Sequence, residues 1–398
     1  MNYKICIIGQ GIVGFDLAKL FSKKYPTIGY DICNETIDNI KSKDTFTKKK
    51  SNSLTDLYVT SNENDIKDCD VYIITVPTPI DKYKKPDLGP LSLATSTVAK
   101  MLSKKNIVIY ESTFYPGLTN DYCIPMLENR SKMQVNKDFY VGYSPERINI
   151  GGVTEKRAND IIKITSGSNK QAGQMINELY KSVIKAGTHL VKNIKIAESA
   201  KMLENCQRDV NIALINEFKK TFDKLNIDTL SVLEAASTKW NFIDFEPGLV
   251  GGDCIRIDPY YMIYKSKLSK SSSKLIESAR EINESMIKYF EKKIISKISE
   301  KKFKEKAKIL YLGKAYKKNS STAKNSLNFE LGKLLKLKLN VTIYDPLIDK
   351  NDSLKNFLKK NKNFFDVIII AVDHKVLKRI NLKILTKDKS LIIRLPYV

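Results

Sequence analysis

The sequence predicts an α/β fold: two domains built on parallel sheets, joined by a long helix. Three observations carry this. Apolar runs of strand length recur with helical patterns between them, the alternation that βαβ units produce. A glycine-rich turn follows the first of these runs directly. One unbroken helical pattern occupies Ile194 to about Leu225, and the strand–helix alternation then starts again.

The elements justify themselves in order. KICII (4–8) is a strand-like run, followed by Gly9, Gly11 and Gly14 and by the helical pattern FDLAKLF. TIGYD then ends on Asp31. Strand, tight turn, helix, strand and acid in this order predict an N-terminal Rossmann domain. The glycines let the backbone approach a pyrophosphate that the helix N-terminus binds. An acid about 20 residues on suits the ribose hydroxyls of NAD and repels the extra phosphate of NADP. Further strands are expected at VYIITV (71–76), NIVIYES (106–112), FYVGYS (139–144) and IIKITSG (161–167). The stretch 42–64 is polar and reads as a surface excursion. A second helical region is expected from about Ser273 to Ser299, after the Ser/Lys-rich SKLSKSSSK. KILYLG (308–313), NVTIYDP (340–346) and DVIIIAV (366–372) then predict a second, smaller α/β domain. Three loops follow strands: TVPTP (75–79), YESTFYPG (110–117) and YSPERINIGG (143–152). Strand C-termini are where ligands bind in such sheets, and a substrate is expected between the domains.

Composition excludes several classes. No run of about 18 apolar residues exists, so no membrane helix is expected. The N-terminus is a poor signal peptide, and a cytoplasmic protein is expected. The six cysteines are scattered without a CxxC pair, which argues against a disulfide framework and a zinc site. His189 and His374 are the only histidines, so no metal and no Ser-His-Asp triad are expected. The net charge is +24, from 60 Lys against 8 Arg spread along the chain. That is a solvated lysine surface rather than a nucleic-acid footprint, although it attracts a nucleotide diphosphate.

The ordered motifs GQGIVG, VPTPID, YESTFYPG, GYSPERIN, AGTH, AESAKMLEN, RDVNIALINE, TKWNF, PGLVGG, CI and DPYY run through nearly the whole chain. In these it resembles the UDP-sugar 6-dehydrogenase family, most of all its bacterial UDP-N-acetylglucosamine branch. The resemblance implies an NAD-binding domain over 1–192, a central helical dimerisation domain over 193–300 and a UDP-sugar-binding domain over 301–398. It implies a homodimer through the long helix. It also implies a two-step oxidation of the sugar C6 hydroxyl to the uronic acid, for surface polysaccharide.

The site residues follow from the same resemblance. Cys254 matches the family's thioester-forming nucleophile, a role that needs a populated thiolate. Lys201 and Asn205, four apart on one helix face, match its catalytic lysine and asparagine. Asp258 matches the aspartate that positions water or shuttles a proton. Glu146 matches the base of thioester hydrolysis. Thr113 matches the threonine beside the nicotinamide. Cofactor contacts fall on Gly9, Gly11, Ile12, Val13, Gly14, Asp31, Val76, Pro77, Thr78 and Thr113. Substrate contacts fall on Glu146, Arg147, Lys201, Asn205, Gly251, Tyr316 and Lys317. GKAYKKNS (313–320) follows a strand and suits the uridine diphosphate, and YDP (344–346) also fits.

The chain departs from the branch at four places. Asp253 and Arg256 stand where the branch has His and Gly, and Glu246 stands where it has Arg before PGLVGG. SSTAKN (320–325) replaces a Pro-Asp-x-Arg element, and the chain stops at LIIRLPYV where the family continues, so a shortened sugar-nucleotide domain is expected. An aspartate beside a thiol disfavours the thiolate and an arginine favours it. Glu246, Asp253 and Arg256 therefore read as a compensating charge set. UDP-glucose or UDP-N-acetylmannosamine oxidation stays open as an alternative. So does a degenerate member that binds UDP-sugar or NAD without turnover.

Overall fold

The computed structural model describes residues 3–43, 57–148, 158–252, 254–301, 303 and 307–398. These form two compact units. The first holds described residues up to 148, 158–204 and 260–271, and the second holds 205–259 and 272–398.

In chain order the first part runs β1 (Ile5–Ile8), α1 (Ile12–Phe21), β2 (Thr27–Tyr30), α2 (Asn34–Lys43), β3 (Leu57–Thr60), β4 (Val71–Ile74), α3 (Gly89–Met101), β5 (Ile107–Tyr110), α4 (Ile124–Ser131), β6 (Tyr140–Tyr143), β7 (Lys163–Gly167), α5 (Lys170–Lys181) and β8 (Thr188–Leu190). The strands form one eight-stranded sheet in the order β3-β2-β1-β4-β5-β6-β7-β8. ICII, TIGY, VYII and IVIY are buried at every position, as parallel strands covered on both faces must be. Ile5, Ile7, Val71, Ile73, Ile107 and Ile109 pack in one cluster with Leu17 and Phe21 of α1 and Ile176 and Tyr180 of α5. The chain order reverses beside β1, whose neighbours are β2 and β4, so the crevice for a ligand opens at the carboxyl ends of β1 and β4.

Two expectations are corrected here. The sheet is not wholly parallel: β6 and β7 run antiparallel, with Gly142 opposite Gly167 and Tyr143 opposite Ser166. The polar stretch 42–64 is not all excursion, because Leu57–Thr60 is β3, the sheet's edge, in parallel register with β2. The four-residue LYVT is short and flanked by KKKSNSLTD and SNEN, which made the whole stretch look polar. Residues 44–56 of that stretch lie outside the described residues.

The long helical pattern is α6 (Ile194–Leu225), followed by α7 (Thr229–Ser237), α8 (Asp258–Leu268) and α9 (Lys274–Glu300). The second unit then has β9 (Ile309–Leu312), α10 (Leu327–Lys338), β10 (Val341–Tyr344), α11 (Leu354–Lys360), β11 (Phe365–Ile370) and β12 (Thr386–Arg394). Its four strands pair in parallel in the order β10-β9-β11-β12. β12 escaped the sequence reading because it opens on TKDK before its apolar LII. Met286, Phe290, Ile294 and Ile298 repeat every four residues on one side of α9 and pack on Ile309, Tyr311, Leu331 and Leu335. Each such side chain, fully buried, contributes about 1.5–3 kcal/mol.

Candidate active site

The glycine turn between β1 and α1 is shaped for close approach. A Cβ on Gly14 would lie 1.8 Å from the Gly9 carbonyl oxygen, so no side chain fits there. A Cβ on Gly11 would meet nothing, which leaves open space over the turn. Gly11 caps α1 without any side-chain hydrogen bond, and Ile12 at the helix start is 66% exposed. An uncapped helix N-terminus beside open space is an anion site. The Asp31 carboxylate accepts from the backbone N–H of Gln10 at 2.7 Å and of Cys33 at 2.9 Å, so the acid after β2 is fixed against the turn. These residues fit a dinucleotide.

Neighbouring strand ends brace the turn. Thr75 Oγ1 donates to the carbonyls of Ile8 (3.0 Å) and Gly9 (2.8 Å). Ser112 Oγ donates to the Val76 carbonyl at 2.6 Å. Val13 in the first turn of α1 and Val76, Thr78 and Thr113 on the loops after β4 and β5 are half-buried, and Pro77 is exposed.

The first unit also brings Lys201 and Glu146 together. Lys201 Nζ donates to the Glu146 carbonyl at 2.6 Å and lies 3.8 Å from its carboxylate, with both side chains largely buried. The Glu146 carboxylate accepts from the Ile148 N–H. Arg147 pairs with Glu204 at 2.6 Å and donates to the Ile162 carbonyl.

The second unit brings Asn205, Asp258 and the cysteine turn together. Asn205 Nδ2 donates to Asp258 Oδ2 at 2.5 Å, and both residues are buried. The Cys254 carbonyl accepts from the N–H groups of Ile257 (3.2 Å) and Asp258 (2.9 Å), a turn that leads straight into α8 and leaves Cys254 exposed. Gly252 has φ +90°, and a Cβ there would lie 2.9 Å from the Tyr316 ring. Its N–H donates to the Asn325 carbonyl at 3.1 Å. The Gly251–Gly252 step therefore seats against the loop that carries Tyr316 and Lys317. Asp253 lies outside the described residues.

The family models match in three parts. The NAD binding domain of the UDP-glucose/GDP-mannose dehydrogenase family matches residues 3–184, its central domain 195–285 and its UDP binding domain 310–395. The chain belongs to the UDP-glucose/GDP-mannose dehydrogenase family. It is similar to the UDP-N-acetyl-D-glucosamine 6-dehydrogenase of Salmonella typhi, 41% identical over 99% of this chain and 96% of that one. It is 42% identical to protein CapL of Staphylococcus aureus, over 94% of this chain and 91% of CapL. Among solved structures, the UDP-D-ManNAc dehydrogenase of Pyrococcus horikoshii superposes with a TM-score of 0.84 at 31% identity, covering 98% of this chain and 94% of its own.

In this dehydrogenase the departures from the branch pattern find partners other than each other. Arg256 Nη1 pairs with Glu330 of α10 at 3.2 Å, and Glu246 pairs with Lys318 at 3.6 Å. The charge set read from the sequence is thus corrected for Glu246 and Arg256: each compensates a residue of the C-terminal domain.

Three buried polar groups were missed by sequence reasoning. Glu198 of α6 accepts from the N–H groups of Gly117 (2.5 Å) and Thr119 (2.9 Å) and from the Thr119 hydroxyl (2.7 Å), tying down the YPG loop. Burial pushes its carboxyl up to about 7, against the pull of those three donors. Glu111 pairs with Lys163 at 2.5 Å and accepts from Tyr180, and Lys163 also donates to the Pro145 carbonyl at 3.1 Å. In the second unit Arg280 pairs with Asp209 at 2.6 Å, with both side chains almost fully buried. Asn283 Nδ2 donates to the same Asp209 oxygen (2.7 Å) and Asn216 Nδ2 to Asn283 (2.8 Å). The network ends on the cysteine segment: Asn216 exchanges hydrogen bonds with Gly248, and Arg280 reaches the Ile255 carbonyl at 3.5 Å. A signal existed in the sequence. In a chain with 60 Lys and 8 Arg, an arginine marks a site where a planar fork is needed.

Among the described residues no helix is long and apolar enough to cross a membrane.

Proposed function

We propose that this enzyme oxidises C6 of a UDP-N-acetylhexosamine, UDP-N-acetylglucosamine first among them, to the uronic acid through a thioester on Cys254. The observation that carries the reading is the cysteine turn itself: an exposed thiol, set by two N–H bonds into α8, beside the buried Asn205–Asp258 pair. The relative from Salmonella typhi carries the corresponding name, and its identity extends over the whole chain.

NAD, when bound at the glycine turn, supplies the hydride acceptor for both oxidations. Gly9, Gly11, Ile12, Val13, Gly14, Asp31, Val76, Pro77, Thr78 and Thr113 hold it. Lys201 stabilises the alkoxide and oxyanion that develop on the sugar oxygen, and Asn205 holds that oxygen or a water. Asp258 takes the departing proton. The Cys254 thiolate adds to the aldehyde carbon; loss of a second hydride from that thiohemiacetal leaves the thioester. Glu146 removes a proton from the water that attacks it, and C–S cleavage returns the thiolate. Tyr316, Lys317 and Gly251 hold the nucleotide end, and Arg147 supports Glu146. Each sugar yields two reduced cofactors and consumes one water.

The functional division we propose is 1–192 for NAD, 193–300 for dimerisation and 301–398 for the UDP-sugar. Leu203, Leu214, Phe218 and Leu225 of α6 are exposed at helical spacing. That stripe supports a homodimer that buries it. The NAD chemistry and cysteines that form no disulfide support a cytoplasmic enzyme supplying uronic acid for surface polysaccharide.

The likeness to the UDP-D-ManNAc dehydrogenase favours a second substrate reading, UDP-N-acetylmannosamine. A panel of UDP-sugars decides between them. Two NADH per UDP-N-acetylglucosamine in the wild type, and none or a stalled aldehyde with Cys254→Ser, is the expected result. Tight UDP-sugar binding without NADH from any sugar would select a non-catalytic member instead.

A further inference from the structure

The loop that joins β9 to α10 carries Tyr316 and Lys317, and the segment 314–319 that holds them is tied at both ends to one buried pair. At its start the N–H groups of Lys314 and Ala315 donate to Asp345 Oδ2, at 2.7 and 3.1 Å. At its end the N–H of Asn319 donates to His374 Nδ1 at 2.9 Å. The two anchors are bonded to each other: His374 Nε2 lies 3.1 Å from the same Asp345 oxygen. Asp345 and His374 are both 0% exposed. Asn319 sits in the left-handed region at φ +63°, and its Oδ1 accepts from the Lys375 N–H at 2.9 Å. Asn319 and the His374–Lys375 step thus hold each other by reciprocal bonds.

The hydrogen-bond roles fix the chemistry of the ring. A backbone N–H only donates, so Nδ1 is the bare acceptor and the ring proton resides on Nε2, facing the carboxylate. Burial disfavours the Asp345 carboxylate, but the bonds from His374, Leu347 and Lys314 outweigh it and hold the carboxyl below its ordinary range.

We propose that His374 is a positioning residue for nucleotide binding: through Nδ1 it closes a clasp, based on Asp345, that fixes both ends of the segment bearing Tyr316 and Lys317. This rests on the reading of Gly313–Ser320 as the UDP loop. His374 touches no substrate and acts through the backbone of Asn319. A segment pinned at both ends is ordered before the ligand arrives, so the ordering cost does not fall on binding.

Two substitutions separate the ring's two bonds. His374→Asn places an amide oxygen near the Nδ1 position and keeps the acceptor for Asn319. His374→Gln places its amide near the Nε2 position, keeps the bond to Asp345 and loses Asn319. UDP is titrated by calorimetry into the full-length wild type, both variants and Lys317→Ala. The expected result is about tenfold weaker UDP binding in His374→Gln, the factor for one lost hydrogen bond, and near wild-type binding in His374→Asn. With UDP-sugar, KM rises by a similar factor in His374→Gln while kcat stays. Equal affinity in all three, or equal loss in both variants, overturns the proposal. Wild type that binds no UDP, or Lys317→Ala that binds it normally, removes the UDP-loop reading instead and the proposal falls with it. A measurement on the unaltered protein covers variants that fail to fold. With two histidines in the chain, nitrogen-15 histidine spectra against His189→Gln read the His374 tautomer directly. A bare Nδ1 with the proton on Nε2 is expected, and an Nδ1–H ring or an imidazolium overturns the clasp.

Discussion

Replacing Arg280 by Met removes one partner of a buried ion pair and keeps the volume. Asp209 is 0% exposed and holds Arg280 at 2.6 Å and Asn283 at 2.7 Å. Without the guanidinium its charge keeps one neutral donor on that oxygen. Breaking such a pair from one side costs about 3–5 kcal/mol. In a unit the size of 205–259 plus 272–398, each kcal/mol moves Tm by about 2–4 °C, so a drop of about 6–20 °C is expected. The sign of the pH effect also follows. Burial already raises the Asp209 carboxyl, and the arginine is the chief force pulling it down. In Arg280→Met it rises further. A raised acid is stable in the fold as its neutral form, and that stability is lost as pH rises through the folded pKa. The Tm deficit should therefore be smaller at pH 5 than at pH 8. Asp209→Asn with Arg280→Met removes the charge and should recover most of the loss. Differential scanning calorimetry at both pH values reads all three quantities. A deficit under about 2 °C, or one that is equal at the two pH values, or a double variant worse than the single, refutes the reasoning.

Other outcomes follow from the same geometry. Gly14→Ala drives a Cβ to 1.8 Å from the Gly9 oxygen, so the turn must shift and NAD affinity should fall at least about tenfold, read by fluorescence titration. Glu198, raised to about 7 from 4.5, contributes stability that is present below pH 4.5 and lost as pH rises through 7. Thermal melts across that window should decline in the wild type and flatten in Glu198→Gln, and parallel slopes would contradict it. Arg256→Glu should cost about 1 kcal/mol or less, because its Glu330 partner is half-exposed, and Glu330→Arg in the same chain should restore it; chemical denaturation of the four proteins closes that cycle.

Most of the fold could be read from periodicity. α6 has the bounds its pattern predicts, and the buried strands announced themselves as apolar runs between turns. β3 and β12 did not, because an edge strand keeps exposed or charged positions that break the run. Strand direction was also hidden: KITSG reads the same whichever way it pairs. In the site, motif residues could be named one by one, but their partners could not. Nothing in AESAK says that Glu198 seeks the N–H groups of a loop 79 and 81 residues earlier. Arg256 and Glu246 drew attention as misfits in a short stretch, yet Glu330 and Lys318 are 74 and 72 positions away and carry no local signature.

The reversal of direction at β7, which β8 shares, has a topological consequence for how this enzyme could diversify. In a parallel sheet every strand arrives at the ligand edge by its last residue and must leave through a crossover connection. Because β7 runs back, Lys163 arrives there by its first residue, beside Glu111 and the Pro145 carbonyl. The connection from Tyr143 to Lys163 therefore departs from and re-enters the sheet on the same edge. Such a segment can gain or lose residues without rethreading a strand or moving a helix. The strands that flank Glu146 and Arg147 therefore keep their register independently of the length of that connection.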